Sequence, residues 1–221
     1  MKIIARIHND FDSKFGIPRQ SNVVKELVGT IVFEPEYRDA SALRGIEGFD
    51  YLWLIWQFSE AVRDKWSPTV RPPILGGNTR VGVFATRSPF RPNALGLSSV
   101  KLEGVDLHTS HGPVLYVSGA DLMNGTPIFD IKPYLAYVDS HPEAAQGFRG
   151  DGWSRRLQVD FPKELLLKVS PEKQAGLLGV LANDPRPTYQ EDAERIYGMS
   201  FGGMEIKFRV ADGTLYVLSV E

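Results

Sequence analysis

Between residues 29 and 138 the chain passes through six stretches rich in apolar, β-branched and aromatic residues: GTIVFE (29–34), FDYLWLIWQF (49–58), RVGVFAT (80–86), LSSVKLEGVDL (97–107), PVLYVSGADL (113–122) and IFDIKPYLAYV (128–138). Gly, Pro or Asn punctuates the gaps, so each stretch reads as a strand. Six strands at short spacing predict a barrel or a sandwich. No long helical pattern separates them in pairs, which argues against a parallel doubly wound sheet. Within 49–58, alternation sets Phe49, Tyr51 and Trp53 on one face and Trp56 and Phe58 on the other. Most of these aromatics are expected in the core, with Gln57 to Ser59 at the lip of a cleft.

After residue 142 the pattern changes. Leu165, Leu166 and Val169 fall in one short helical pattern and Ala175, Leu178 and Leu181 in a second, with Ser170-Pro171-Glu172-Lys173 as a start signal for the latter. The last stretch, SFGGMEIKFRVADGTLYVLSVE, alternates apolar and polar around Asp212-Gly213, a hairpin signal. The organisation expected is therefore a mainly β domain over 1–142 and a small α+β domain over 143–221, joined through a Gly- and Pro-containing linker at 140–153.

Composition narrows the chemistry. With 221 residues, 43% of them hydrophobic, the chain can bury a core without staples. The formal net charge of −2 is too balanced for indiscriminate coating of nucleic acid, so an anionic partner must meet a local patch. The absence of cysteine excludes disulfides, thiolate metal sites and thiol nucleophiles. No secretory signal and no run of eighteen apolar residues is present, which predicts a cytoplasmic protein without a membrane partner. His8, His108, His111 and His141 lack metal-ligand spacing, and no nucleophile elbow, zincin motif, Walker loop or dinucleotide fingerprint occurs. Any catalysis should work by positioning reactants.

One window departs from the balanced charge. Between Asp64 and Glu103 there is no acidic residue, while Lys65, Arg71, Arg80, Arg87, Arg91 and Lys101 all fall inside. A charge run is usually a solvated face. Here the arginines are interleaved with Pro72, Pro73, Pro89, Pro92, Gly76 and Gly77, which lower the cost of holding a guanidinium in place. Arginine also suits bidentate recognition of phosphate or carboxylate. A second segment, 120–139, sets Asp121, Asn124, Thr126, Asp130 and Lys132 around an Asn-Gly turn, and an ordinary hairpin explains it equally well. A third, SKFGIPRQ, places Arg19 and Gln20 after a proline.

Taken together, FGIPRQ, GFDYLWLIWQF, RPPILGGNTRVGVFATRSPFRPNALGLSSVKL, GADLMNGTPIFDIKPYLAYVD and NDPRPTYQED resemble, in this order, the TrmO family, also called TsaA-like or YaeB-like, over nearly the whole chain. The resemblance implies a β-barrel tRNA methyltransferase, homodimeric, that uses S-adenosylmethionine to methylate the exocyclic nitrogen of threonylcarbamoyladenosine next to the anticodon in threonine tRNA. Carried over by matching motif, the cofactor pocket is lined by Pro18, Arg19, Gln20, Gln57, Phe58, Arg87, Leu97, Asp121, Leu122, Met123 and Asn124. Arg91, Asn93, Asp130, Lys132 and Tyr134 belong to the same surroundings. Two departures stand out: Asn124 replaces an aspartate common in relatives, and Ser59 a histidine.

The attacking nitrogen is ureido-like and must lose a proton, so a base or a stabilised anion is needed. Asp130 is the candidate base, Lys132 or Arg87 the electrostatic stabiliser, and Arg91 or Arg71 the reader of the threonyl carboxylate. Arg149, Arg155, Arg156 and the DPRPTY segment, with Tyr189 as a stacking residue, are expected to help grip the anticodon stem-loop. Two other classes fit the residues: a non-catalytic module that binds adenosylmethionine or a nucleotide, and an RNA-binding adaptor without cofactor.

Overall fold

The computed structural model describes residues 1–149, 156–187 and 192–221, with the side chain of Arg149 left out. Arg155, Tyr189 and the Arg149 side chain therefore lie outside the described residues.

Strands β1 (Ala5–His8), β2 (Val28–Phe33), β3 (Tyr51–Gln57), β6 (Leu95–Thr109), β7 (Gly112–Ser118) and β8 (Pro127–Pro133) close into a barrel in the order β1-β2-β7-β6-β3-β8. Strands β4 (Thr69–Val70) and β5 (Val81–Gly82) form a separate ribbon. All barrel neighbours are antiparallel. Alternation holds in β3, with Leu52, Leu54 and Trp56 inward and buried and Tyr51, Trp53, Ile55 and Gln57 outward; Tyr51 and Trp53 are thus on the wall and not in the core expected for most of these aromatics, because the aliphatic Leu52 and Leu54 take the inward positions. The barrel core is completed by Ala5, Ile7, Ile31, Val100, Leu115, Val117, Leu122 and Ile128. Inward-facing Gly96 makes room for the Trp56 indole, which a Cβ at that position would strike.

The expected strands differ from the observed ones in three places. ARIH is a barrel strand too short to show a pattern, and it closes the barrel by pairing with β2 and β8. The run 80–86 pairs only at Val81–Gly82 and then turns through a 3-10 segment at Val83–Ala85. It belongs to an excursion from the barrel wall, where no further strand offers it a ladder. The run 128–138 stops as a strand at Pro133, and a short helix α1 (Ala136–Asp139) follows. The Asp139 carboxylate fixes that corner, accepting from the Leu135 N–H (2.8 Å) and from Trp53 Nε1 (2.9 Å).

A second sheet contains β9 (Gln158–Asp160), β10 (Tyr197–Phe201), β11 (Met204–Ala211) and β12 (Thr214–Val220) in the order β10-β11-β12-β9, with β9 parallel to β12. The Asp212-Gly213 turn between β11 and β12 has φ of 49° and 76°, as a two-residue hairpin loop of matching twist requires. Helices α2 (Lys163–Leu166) and α3 (Pro171–Ala182) complete the unit, α3 starting at Ser170 with Pro171 in its first turn.

The expected boundary near 142 lies between the last barrel strand and β9, but the second core draws on the N-terminal segment as well. Phe11, Val24 and Leu27, from the β1–β2 connection, pack with Leu177, Val180, Leu181, Met199, Phe201 and Phe208. Phe11 meets Phe201 edge-on at 5.4 Å. The Gly202 N–H donates to the Asp10 carbonyl, and Lys173 pairs with Asp10 at 2.6 Å.

Candidate functional site at one end of the barrel

Strand direction decides where the motif-bearing loops go. β1, β7 and β3 end at the rim where β2, β6 and β8 begin. The connections 9–27, 58–94 and 119–126 therefore all leave from the same rim, and they carry Pro18 to Gln20, Phe58, Arg87, Arg91 and Asp121 to Asn124. The opposite rim receives 34–50 and the short β6–β7 turn.

The 119–126 segment is not a hairpin, because β7 and β8 are not neighbours. It crosses the barrel mouth and is pinned to β1 and the β1–β2 connection at several points. Asn22 N–H donates to Gly119 O (2.8 Å), Asn124 N–H to Phe11 O (2.7 Å) and Gly125 N–H to Ile7 O (2.8 Å). Asn124 serves this crossing through its side chain too, accepting from Asn9 N–H (3.3 Å) and donating to Asp12 (2.8 Å). An amide can do both where a carboxylate could only accept. Leu122 is fully buried in the barrel core, so it can offer a ligand only its backbone, and its carbonyl already accepts from Asn9 Nδ2.

Asp121 lies in this crossing, over the start of β6. Its carboxylate accepts from Ser98 Oγ at 2.5 Å, and that hydroxyl in turn accepts from Trp56 Nε1 at 3.0 Å. Burial pushes the Asp121 carboxyl above the usual aspartate range, against the opposing pull of Ser98, the Asp121 and Ser21 backbone N–H groups, and the charge of Arg87. Arg87 donates to Gln20 Oε1, and Gln20 Nε2 donates to Arg19 O. Phe58 lies against Trp56 at 4.2 Å between ring centroids, and its N–H donates to Ala94 O (2.8 Å). Gln20, Arg87, Asp121 and Phe58 are thus gathered at one rim, with Pro18, Arg19, Gln57 and Met123 beside them in sequence.

Other expected residues lie on the outer wall below the mouth. Ile55 of β3 pairs with Leu97 of β6 on one side and with Asp130 of β8 on the other, so Leu97 and Asp130 share a cross-strand row. Leu97 is 57% exposed there. In the next row Trp53 stands between Ser99 and Lys132. Asp130 and Lys132 form an exposed ion pair at 3.4 Å, and Asp130 also accepts from the Ile131 N–H (3.0 Å). Arg91 turns back on its own loop, its Nη1 donating to Thr86 O (2.9 Å) and Ser88 O (3.3 Å). Tyr134 packs on Trp53 and Tyr51.

The basic window forms the excursion 58–94 and the start of β6. Lys65, Arg71 and Arg80 are exposed on it, Arg80 donating to Thr69 Oγ1 (2.9 Å), while Lys101 is paired with Glu103. Trp66 (53% exposed) stacks on Phe84 (73% exposed), and Arg63 lies 3.7 Å over the Phe90 ring. Two hollows are present, the first reaching the same rim at His8 to Asp10. One of 380 Å³ separates β2 and β7 from the start of α3, and one of 400 Å³ is lined by Lys2, Ile4, Tyr37, Ile55, Phe129 and Asp130. Among the described residues no group of three His, Asp or Glu is arranged to hold a metal, and no helix is long and apolar enough to cross a membrane.

No sequence motif marks Ser21, Ser98 or Trp56 as part of the site. A signal was available for Ser98: alternation makes it inward-facing between Gly96 and Val100, where a hydroxyl needs a buried partner.

Residues 6–140 match the model of the tRNA-methyltransferase O N-terminal domain, and residues 154–221 match that of the TrmO C-terminal domain. The chain belongs to the TrmO family. It is 38% identical over 226 residues to the tRNA (adenine(37)-N6)-methyltransferase of Escherichia coli, covering 99% of this chain and 96% of the relative. The enzyme of the same name from Eikenella corrodens is 42% identical over 173 residues, covering 78% of this chain and 97% of its own. The crystal structure of TrmO from Pseudomonas aeruginosa superposes with a TM-score of 0.81 at 29% identity, over 100% of this chain and 96% of that one. The relation spans both sheets and the connection that joins their cores.

Proposed function

We infer that the chain is an S-adenosylmethionine-dependent tRNA methyltransferase acting on the exocyclic nitrogen of threonylcarbamoyladenosine at position 37. The observation that carries this reading is the convergence, at one barrel rim, of the three loops that bear the family's motifs.

The donor set at the rim fits the cofactor. Asp121, held by Ser98, can accept from hydroxyl or ammonium groups. Arg87 and Gln20 can meet a carboxylate, and Phe58 with exposed Leu97 offers apolar surface. When bound, S-adenosylmethionine supplies an activated methyl group. The chain's own part is to orient the acceptor and exclude water, for which aligned reactants gain roughly 7–11 kcal/mol. Asp130, on the row shared with Leu97, takes the proton lost by the nitrogen, and Lys132 or Arg87 steadies the negative charge that develops. Arg91 anchors its loop with one nitrogen and turns the rest of its fork to the threonyl carboxylate, with Arg71 as the second candidate. Lys65, Arg71, Arg80 and Arg156, all exposed, would meet the phosphates of the anticodon stem-loop. On this reading the protein works in the cytoplasm, where tRNA is found.

Incubation with methyl-labelled S-adenosylmethionine and threonine tRNA bearing or lacking the threonylcarbamoyl group tests the reading. Label is expected only in the modified tRNA. Cofactor binding without transfer to either tRNA would favour a non-catalytic module, and RNA binding without cofactor affinity an adaptor.

We also propose that the protein is a homodimer. The support is the exposed apolar side chains Val62, Trp66, Phe84 and Leu97 on the excursion and adjoining wall, with Trp66 and Phe84 stacked on each other in the open. Phe84→Asp is expected to shift the sedimenting species from dimer to monomer. An unchanged dimer would place the contact elsewhere.

A further inference from the structure

Helix α3 ends in a turn that the mouth of the barrel uses. Asn183 closes the helix and Asp184 follows in the left-handed region at φ 50°, a conformation aspartate tolerates better than most residues. Pro185 bars continuation. The chain then presents Arg186, only 7% exposed, whose guanidinium returns to Asp184 through two parallel bonds, Nε to Oδ1 at 2.8 Å and Nη2 to Oδ2 at 2.9 Å. The Arg186 N–H also donates to Asp184 Oδ1 (3.3 Å). A guanidinium so placed has its charge met by Asp184, with Tyr197 of β10 also beside it, and the backbone of residue 186 is fixed as a result.

What that fixed backbone does is accept a hydrogen bond from another part of the chain. The Arg186 carbonyl receives Arg19 Nη2 at 2.8 Å, from a residue 167 positions earlier. The Arg19 backbone carbonyl receives Gln20 Nε2, and Gln20 Oε1 receives Arg87 Nη1. Arg87 acts on the Asp121 carboxylate through its charge. One hydrogen-bonded chain thus runs from the end of α3 in the C-terminal unit, through residues 19 and 20, to Arg87 at the mouth.

We propose that Arg186 is a positioning residue for the methyl-donor pocket: locked to Asp184, it holds Arg19 and through it Gln20 and Arg87 in the arrangement that receives the cofactor. The proposal rests on the reading of residues 19, 20 and 87 as cofactor-holding. It gives the C-terminal unit a role in the transfer that does not depend on touching RNA. Arg186 contacts neither substrate, and its loss acts through Arg19.

The experiment compares wild type, Arg186→Lys, Arg186→Ala, Arg19→Ala and the Arg19→Ala/Arg186→Ala double variant. For each, S-adenosylmethionine affinity is measured by calorimetry, KM for cofactor and for modified tRNA by steady-state assay, and the melting temperature by calorimetric scan. Arg186→Ala keeps the carbonyl but removes the fork that fixes it, and loosening the acceptor of a charged donor predicts a weaker cofactor affinity and a higher cofactor KM, by up to about ten-fold. The KM for tRNA is expected to stay within about two-fold, and Arg186→Lys, which keeps the charge without the fork, to fall between wild type and alanine. Because both residues act through one bond, the double variant should be no weaker than the weaker single variant. A purely structural role would lower the melting temperature and the active fraction while leaving both KM values in place. Arg19→Ala and Arg186→Lys keep the test open even if Arg186→Ala fails to fold, since Arg19 is exposed. Wild-type cofactor affinity in Arg186→Lys together with multiplying losses in any foldable double variant would overturn the proposal, as would a rise in the KM for tRNA alone. If wild type itself binds no S-adenosylmethionine, the fault lies in the assignment of the pocket.

Discussion

Asp121→Asn is expected to give a protein that is more stable at neutral pH and a poorer enzyme. The carboxyl is buried and its pKa is raised, so the folded state holds the proton more tightly than the unfolded chain does. Its contribution to stability is therefore most favourable at low pH and declines as pH climbs from the ordinary value of 3.8 through the raised one. Asparagine removes that slope and keeps an acceptor for Ser98, and relief of this kind commonly adds about 0.5–2 kcal/mol. Denaturant titrations at several pH values should show the two curves separating as pH rises. Cofactor affinity should move the other way, by at least about ten-fold, because truncating one member of a buried charged contact typically costs about 2–5 kcal/mol in binding. A variant that is both less stable at neutral pH and equally active would remove Asp121 from the site.

The second large effect is on the shared core. Phe11→Ala deletes a fully buried ring that packs edge-on against Phe201, and such truncations cost about 3–5 kcal/mol. Phe11 also lends its carbonyl to the Asn124 N–H, so loosening it disturbs the crossing that carries Asp121. Urea unfolding should show the loss of stability, and cofactor titration a weaker site. A change below about 1 kcal/mol would mean that the β1–β2 connection is a surface loop and not part of the core.

Much of the wall of the barrel could be read from period-two alternation, most clearly in β3, where every second residue from Leu52 to Trp56 is inward. β1 could not, because four residues carry too little pattern and its role comes from two partners distant in sequence. The stretch 80–86 misled for the opposite reason. Its apolar residues lie on an excursion, where Phe84 is among the most exposed side chains and no ladder partner exists beyond Thr69–Val70. The motifs named the loops of the mouth, but the sequence could not say that 119–126 crosses it, since that follows from β7 and β8 not being neighbours. Nor could it pair Arg19 with Arg186, a contact set by where α3 ends. Resemblance supplied the chemistry, while composition supplied only exclusions.

The interleaving of Phe11 with Phe201 has a consequence for how the molecule is made. During vectorial synthesis the apolar side chains of residues 11–27 emerge from the ribosome well before their partners in β10 and β11. Contacts of such sequence separation are slow to form and leave sticky surface waiting. Nascent chains stalled before β10 are therefore the species on which a chaperone would act.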